Sequence, residues 1–282
     1  MTDSGLATWR LRLAGLAEFA RRRLAGEYEV DEFGFDPELN AAVFMPAALA
    51  LYRKWFRVRM RGLEHVPAAG PALVVANHSG VLPLDAIMVQ AGLFAEHPAH
   101  RSLRLLGADL VYELPGLAGL ARRSGHTRAD PECARQLLAA GELVGVFPEG
   151  FKGTGKPFSE RYRLQRFGRG GFARTAMAAG VPIVPCAIVG AEEIYPMIGN
   201  AERTARRLGL PYFPLTPLFP WLGPLGAIPL PSNWIIEFGR PVPAGDGGTP
   251  DEGQVAELAG QVRDTIQARV DALVAERGPA FS

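Results

Sequence analysis

Cysteine and net charge are both scarce in this sequence. Its 282 residues contain two cysteines, Cys133 and Cys186, and neither belongs to a Cys-x-x-Cys or Cys/His pattern. This spacing excludes a disulfide framework, gives no reason to expect zinc or another metal ion, and favours a reducing cytoplasm. The formal net charge at pH 7 is +1, so the total charge offers nothing to attract nucleic acid, and no nucleic-acid partner is expected.

A long hydrophobic run is also missing. A helix that spans a bilayer needs about 20 predominantly apolar residues, whereas the best early run, residues 41–52, is shorter and contains Pro46. Arginines interrupt every apolar run near the start of the sequence, which argues against a signal peptide. We therefore expect neither a conventional transmembrane helix nor an export signal.

The apolar residues near the start of the sequence instead recur at helical spacing. Leu6, Trp9, Leu13, Leu16 and Phe19 fall on one face of a helix, and most of the neighbouring arginines fall off that face. Trp and Leu flanked by arginines suit the headgroup boundary of a membrane. The pattern therefore predicts an amphipathic helix that is either an interfacial membrane anchor or an element packed on the domain core.

A second stretch lacks charge altogether. Residues 208–236 contain no Asp, Glu, Lys or Arg but seven prolines, which exclude a continuous helix. Aromatic residues accompany the prolines: Tyr212, Phe213, Phe219, Trp221 and Trp234. An uncharged, aromatic-rich segment needs an apolar surface to cover. We interpret it as a membrane-contacting or acyl-chain-lining loop, or alternatively as a coil packed on the core.

The rest of the sequence alternates strand and helix patterns. Apolar runs predict strands near residues 56–60, 72–76, 103–105, 143–147 and 183–189, and helical patterns begin near 36, 83, 134, 171 and 251. This alternation is typical of an α/β fold, here a mixed central sheet flanked by helices with an N-terminal amphipathic helical appendage. We divide the chain into a helical, membrane-associating segment, residues 1–55, and a main domain, residues 56–282.

Polar residues stand directly after two of the predicted buried strands, where ligands of open α/β sheets bind. His78 follows the first of these strands, and Asp85 comes seven residues later, beyond Pro83. On one continuous helix this separation would be ~10.5 Å along the axis, so a hydrogen bond requires a loop that ends at Pro83. With that geometry His78 is a general base whose second nitrogen Asp85 holds. Otherwise His78 is a polar cap on the strand.

Three blocks of residues stand in order along the chain: Asn77-His78-Ser79-Gly80 with Asp85, Phe147-Pro148-Glu149-Gly150-Phe151-Lys152, and Val181-Pro182-Ile183-Val184-Pro185. Together they resemble the glycerolipid acyltransferases typified by bacterial lysophosphatidic acid acyltransferase, over roughly residues 56–190. Six residues separate the histidine from the aspartate where the family usually has four, and Phe-Lys replaces the usual Thr-Arg of the second block. The family's intermediate block is matched faintly by Gly125-His126-Thr127-Arg128.

The resemblance implies an O-acyltransferase in which His78 and Asp85 are catalytic. It would move a fatty acyl group from acyl-CoA or acyl carrier protein to a glycerolipid hydroxyl, foremost that of lysophosphatidic acid or another lysophospholipid. No bound cofactor or metal is implied. The expected partners are membrane lipids, which a peripheral, monotopic protein would reach from the cytoplasmic side. The longer gap between the two residues keeps two alternatives open, a neutral-lipid (mono- or diacylglycerol) acyltransferase and a non-catalytic lipid-binding carrier.

Substrate-binding residues are expected around the second block. Between Lys152 and Arg174, seven basic residues stand against one acid, Glu160. Such a cluster suits the phosphates of coenzyme A, a lipid phosphate or an anionic bilayer, or else it is a solvated helix face. The resemblance gives the glutamate of the second block a part in arranging the acceptor site. The predicted substrate-binding set is Glu149, Gly150, Lys152, Lys156, Arg128 and Arg169.

Overall fold

The computed structural model describes residues 15, 17–79, 82–113 and 116–278. Of the predicted N-terminal amphipathic face, Phe19 lies within these ranges, whereas Leu6, Trp9, Leu13 and Leu16 lie outside the described residues. Residues 17–24 are helical, and Arg23 forms a salt bridge with the buried Asp36. The end of this helical stretch is therefore tied to the main body of the protein.

A mixed sheet forms the centre of the fold. In chain order the strands are β1 (Arg59–Arg61), β2 (Ala72–Ala76), β3 (Leu103–Gly107), β4 (His126–Arg128), β5 (Leu143–Val146), β6 (Ile183–Val189), β7 (Gly199–Asn200), β8 (Pro214–Leu215) and β9 (Ile235–Phe238). Seven of them pair in the order β1-β9-β6-β2-β5-β3-β4, and β7 pairs with β8 separately. The β6-β9 pair is antiparallel, and the other neighbours in the large sheet are parallel. The predicted α/β fold with a mixed central sheet is confirmed.

Helices cover both faces of this sheet. They are α1 (the consecutive α- and π-helical segments Pro37–Leu39, Asn40–Phe44, Met45–Ala50 and Leu51–Trp55), α2 (Leu84–Glu96), α3 (Asp109–Glu113), α4 (Leu117–Arg123), α5 (Pro131–Ala139), α6 (Phe151–Thr154), α7 (Gly171–Ala179), α8 (Glu202–Leu208) and α9 (Glu252–Arg277). Short 3-10 turns lie at Leu63–His65, Phe158–Glu160, Ala191–Glu193 and Gly223–Ala227.

Aspartate side chains fix where three of the long helices begin. Asp36, Asp130 and Asp251 each accept hydrogen bonds from backbone N–H groups in the first turn of α1, α5 and α9. A proline follows the first two of these caps, where its missing N–H costs nothing. The start of α1 at Asp36 and the start of α9 at Asp251 agree with the sequence pattern.

The core consists of two apolar layers separated by β2. All five residues of β2 are buried. Val74 belongs to the layer that contains side chains of α1 and α2, whereas Leu73 and Val75 belong to the layer under α5, α7 and α9. This alternation follows from the period of two in a strand. Each such side chain contributes about 1.5–3 kcal/mol on burial, so β2 is a rigid support for the residues that follow it.

Two elements at one side of the sheet differ from the sequence prediction. Phe56 stacks on Trp234 with ring centroids 4.6 Å apart, and Arg57 has a φ of 44°. A left-handed residue interrupts an extended chain, so the strand predicted at 56–60 begins at Arg59. β9 is missing from the prediction, because it begins inside the proline-rich stretch, residues 208–236. The boundary drawn at residue 55 stays a prediction, although Tyr52 of α1 is buried in the same core as β2.

Candidate active site

His78 and Asp85 meet at the carboxyl end of β2. The Nδ1 atom of His78 lies 2.8 Å from Oδ2 of Asp85, and Pro83 stands at the N-cap of α2, so Asp85 occupies the first turn of that helix. The two side chains therefore meet despite the six residues between them in the sequence. The hydrogen bond predicted from the sequence is present.

The carboxylate of Asp85 is fully buried and has three hydrogen-bond donors around it. Besides His78, the backbone N–H of Ser79 donates to Oδ2 at 2.8 Å and that of Ala86 to Oδ1 at 2.8 Å. These bonds fix the orientation of the carboxylate, which in turn holds Nδ1 of His78 as the protonated nitrogen. Nε2 is then the nitrogen with a free lone pair, the form required of a general base.

The environment of His78 favours its protonated form. Burial lowers the pKa of this imidazole, but the charge and hydrogen bond of Asp85, helped by Glu149, outweigh burial and the opposing Lys156, so the pKa is raised above its usual 6.5. The ring also packs against Phe147, with centroids 4.8 Å apart. A base whose conjugate acid is stabilised in this way takes a proton readily while keeping 15% of its side chain exposed to reactants.

Asn77 ties the end of β2 to the neighbouring strand β6. Its buried side-chain amide donates to the carbonyl of Ile188 at 2.9 Å, and its oxygen accepts from the N–H of Ile188 at 2.8 Å. The side chain thus continues the strand pairing where the backbone turns away. Asn77 stands in the first of the three blocks but was given no role of its own; its position directly after a buried strand was the available signal, because a buried polar side chain needs hydrogen-bond partners.

Glu149, which follows β5, holds the backbone of the His78 loop. Its buried carboxylate accepts from the N–H of His78 at 2.8 Å and from the N–H of Gln165 at 2.6 Å. Burial raises the pKa of Glu149, against the lowering effect of Lys156 and of these two bonds. Gly150 has a φ of 54°, and a Cβ on Gly153 would lie 2.9 Å from the carbonyl oxygen of His78. The second block is therefore packed directly on the histidine loop.

Lys156 is the predicted substrate-binding residue whose position departs most from expectation. Its side chain is 4% exposed, and its ammonium lies 3.0 Å from Oε1 of Glu192 and donates to the carbonyl of Arg163 at 3.0 Å. These protein acceptors enclose the ammonium. Sequence spacing does not reveal this burial, because it depends on the inward fold of the turn after α6. The interpretation of Lys156 as a ligand for a substrate phosphate stays a prediction.

The other predicted cations are separated in space. Lys152 and Arg169 are exposed. Arg128 is also exposed, follows β4 and lies 3.8 Å from Asp109; in the sheet order, β4 is three strands away from β2. Arg174 pairs with Glu252 of α9 at 2.6 Å. The basic cluster read from the sequence is thus divided among a buried residue, a helix contact and a few exposed side chains around the carboxyl end of the sheet.

The uncharged stretch reaches the site through Tyr212. A Cβ on Gly155 would lie 2.8 Å from Cδ1 of Tyr212, so the ring packs on the turn that follows Glu149. Burial raises the pKa of Tyr212, and the nearby charge of Asp85 adds to that effect. In contrast, Trp221, Leu222, Leu225 and Ile228 are exposed to at least half of their surface. Tyr212, near the start of the stretch, therefore contacts the site, residues 221–228 in its middle face outward, and Trp234 near its end is buried.

An apolar cavity of about 220 Å³ opens next to Pro148, between β5 and the helices α5 and α7. Its lining includes Leu73, Leu106, Val146 and Phe172. For metal ions, the described residues contain no group of three His, Cys, Asp or Glu side chains placed to hold one. The site therefore combines a histidine–aspartate pair, a nearby apolar cavity and exposed cations.

These features define an α/β protein with an acid–base pair at the carboxyl end of its central strands. The model of the Acyltransferase family matches residues 57–189, and the chain belongs to this family. An uncharacterized protein of Mycobacterium tuberculosis is 53% identical over 95% of this chain and 76% of that protein. A second uncharacterized protein, from Mycobacterium leprae, is 50% identical over 99% of this chain and 77% of its own length.

Two more distant proteins have descriptive names. A human protein named DGAT1/2-independent enzyme synthesizing storage lipids is 26% identical over 77% of this chain and 62% of its own length. The crystal structure of the 1-acyl-sn-glycerophosphate (LPA) acyltransferase PlsC from Thermotoga maritima matches with a TM-score of 0.55 and 20% identity, over 81% of this chain and 77% of that chain. At this identity the likeness shows a shared fold. The family resemblance seen in the three blocks is confirmed.

Proposed function

We propose that the protein transfers a fatty acyl group from a thioester to a glycerolipid hydroxyl. The hydrogen bond between His78 and Asp85 is the observation that carries this proposal. Nε2 of His78 takes the hydroxyl proton as the hydroxyl oxygen attacks the thioester carbonyl, and Asp85 stabilises the imidazolium. The tetrahedral intermediate then expels the thiolate, which takes the proton back from His78. The new ester and a free thiol leave, and no acyl group is attached to the protein.

The dyad geometry also weighs against a non-catalytic carrier. A carrier needs an apolar cavity but has no use for a buried aspartate that holds one nitrogen of a partly exposed histidine. The six-residue gap, which raised this alternative, is compatible with a 2.8 Å hydrogen bond. For this reason catalysis is the stronger proposal.

For the acceptor, we propose a lysophospholipid such as lysophosphatidic acid. The exposed Lys152 and Arg169 supply cations near the carboxyl end of the sheet for a lipid or coenzyme A phosphate. A neutral glyceride is the second candidate, because a relative is named for storage-lipid synthesis and because the exposed Leu82 and Phe151 make the surroundings of the dyad partly apolar. The apolar cavity beside Pro148 is the proposed place for part of the acyl chain.

A single panel of assays tests the reaction and the acceptor together. Purified protein is incubated with radiolabelled acyl-CoA or acyl carrier protein and with lysophosphatidic acid, other lysophospholipids, monoacylglycerol or diacylglycerol. Incorporation into lysophospholipids alone supports the first candidate, and incorporation into glycerides alone supports the second. An absence of turnover with every acceptor and both donors would contradict the proposed function.

We also propose that the protein binds membranes peripherally, on the cytoplasmic side. In the parts of the chain that the structure describes, no helix has the length and apolarity needed to cross a bilayer. We give the name apolar rim to the exposed side chains of Trp221, Leu222, Leu225 and Ile228. Arg206 and Arg207 at the end of α8 are basic and exposed nearby in the chain. Apolar side chains beside cations suit the surface of an anionic bilayer.

Flotation with anionic vesicles tests this binding mode. Trp221→Asp combined with Leu225→Asp, both in the apolar rim, should weaken binding even at low salt, because the change removes insertion energy. Deletion of residues 1–25 should weaken binding in a salt-sensitive way, because it removes arginines. Leu120→Asp is the matched control, since Leu120 is equally an exposed apolar side chain but lies on α4, which contacts the edge strand β4. If both altered proteins floated like the parent, the proposed surfaces would be wrong.

A further inference from the structure

Three buried ionisable side chains connect the strands on either side of β2. Glu149 follows β5, and Glu192 lies in the 3-10 turn that follows β6. The ammonium of Lys156 stands between them, 3.0 Å from Glu192 and 3.9 Å from Oε2 of Glu149. Because β2 lies between β5 and β6 in the sheet, this lysine joins the two neighbours of the strand that carries His78.

Each oxygen of the Glu149 carboxylate accepts one backbone hydrogen bond, and an ionised, correctly oriented carboxylate makes these bonds strongest. One oxygen holds the N–H of His78 and the other holds the N–H of Gln165. Protonation would place an O–H donor on one of these oxygens and make that oxygen a weaker acceptor for its N–H group. Burial favours that protonation, since a buried carboxylate without a counter-charge is costly. Lys156 is the cation that opposes it.

We propose that Lys156 is a positioning residue for His78, acting through Glu149. Its ammonium keeps the carboxylate charged and oriented, the carboxylate fixes the backbone of the histidine loop, and Asp85 fixes the imidazole itself. Glu149 thus holds the backbone of His78, and Asp85 holds its side chain. The effect of Lys156 on the reaction rate rests on the proposed function. Its effect on the backbone of the histidine loop does not depend on any substrate.

Amide hydrogen exchange, measured by NMR on the full chain without substrate, tests the structural part. Lys156→Met should speed exchange of the His78 amide by about tenfold or more, because the loss of one buried hydrogen bond is of that size. Arg277→Met is the matched control: it breaks another buried ion pair, with Glu193, that has no contact with Glu149 among those described. It should lower stability comparably while leaving the exchange of the His78 amide relative to its neighbours unchanged. Unchanged exchange in Lys156→Met would overturn the proposal.

Glu149→Gln is a second variant, for use if Lys156→Met does not fold. Glutamine has nearly the same shape as the glutamate that it replaces. It keeps one acceptor and loses the other, so it should speed exchange at the amide of His78 or of Gln165. If both amides exchanged as slowly in Glu149→Gln as in the parent, the carboxylate would not be what holds the histidine loop, and the inference would fail.

Kinetics separate positioning from phosphate binding. Lys156→Met should lower kcat about ten- to hundredfold and change KM for the acyl acceptor by less than about twofold. When Glu149→Gln is already present, adding Lys156→Met should lower kcat little further, because both substitutions act on the loop that carries His78. A raised KM for a phosphate-bearing acceptor alone, with kcat unchanged, would instead assign the lysine to substrate. If the parent protein transfers no acyl group, the proposed function fails, and the exchange experiment still decides the role of Lys156.

Discussion

Replacing Asp85 by Asn separates the charge of this residue from its shape. In the parent protein Oδ2 accepts from both Nδ1 of His78 and the N–H of Ser79, and Oδ1 accepts from the N–H of Ala86. An asparagine has one oxygen for these three donors. If its NH2 group faces His78, the imidazole must present Nδ1 as acceptor and carry its proton on Nε2, which is the wrong tautomer for a base.

The magnitude follows from the loss of the general base. Rates should fall by about 10²- to 10⁴-fold, which corresponds to roughly 2.7–5.4 kcal/mol of barrier at ~1.36 kcal/mol per factor of ten. Burial lowers the pKa of His78, and Asp85 raises it. In the pH–rate profile of the variant, the fall in rate on the acidic side should therefore occur at lower pH than in the parent. The fall moves to lower pH because a histidine that has lost its carboxylate holds its proton less tightly.

The loss of rate and the shift of its pH dependence are both measured by following acyl transfer from radiolabelled acyl-CoA across pH. Thermal unfolding is recorded on the same samples. Asp251→Asn is the matched control, because this aspartate caps α9 through two backbone N–H groups and asparagine caps helices equally well. The reasoning is refuted if Asp85→Asn keeps more than about a tenth of the parent rate, or if its fall in rate on the acidic side moves to higher pH.

Two other perturbations probe the substrate site and the core. Lys152→Ala should raise KM for a phosphate-bearing acceptor or for acyl-CoA at low salt, with the difference shrinking at high salt as the charge is screened; equal KM values at both salt concentrations would make Lys152 a solvated surface residue. Trp234→Ala should lower the free energy of unfolding by about 3–5 kcal/mol in urea, because Trp234 is fully buried and stacks on Phe56; a loss below about 1 kcal/mol would contradict that packing.

Short-range patterns made most of the fold predictable. The five-residue run of β2 is apolar throughout because both of its faces are buried, and α7 and β6 have the bounds that their sequence patterns indicate. β9 escaped prediction because a short strand after several prolines has no period that separates it from coil. Its pairing with β1 and β6 depends on residues far away in the chain.

The dyad was accessible from sequence because Pro83 limits where α2 can begin. A loop that returns His78 to Asp85 was therefore possible, and the resemblance of the three blocks to the acyltransferase family favoured it over a polar cap on the strand. Lys156 shows the opposite case: a lysine in a basic stretch looks exposed, but it pairs with the buried Glu192, which lies in the 3-10 turn after β6, far away in the chain. Glu149 was assigned to the site, but its contact with the backbone of the histidine loop depends on β5 lying beside β2.

The most direct test of the account is single-turnover transfer by the parent protein and by His78→Ala, with radiolabelled acyl-CoA and the acceptor found in the panel. Release of free thiol, label in lipid and label on protein are followed in the same reaction. In the parent, thiol release and lipid labelling should proceed together and depend on acceptor, with no label on the protein. In His78→Ala both should fall by about 10²- to 10⁴-fold, with folding and vesicle binding retained. Labelled protein in the absence of acceptor, or a variant rate above about a tenth of the parent's, would contradict direct transfer by the His78–Asp85 pair.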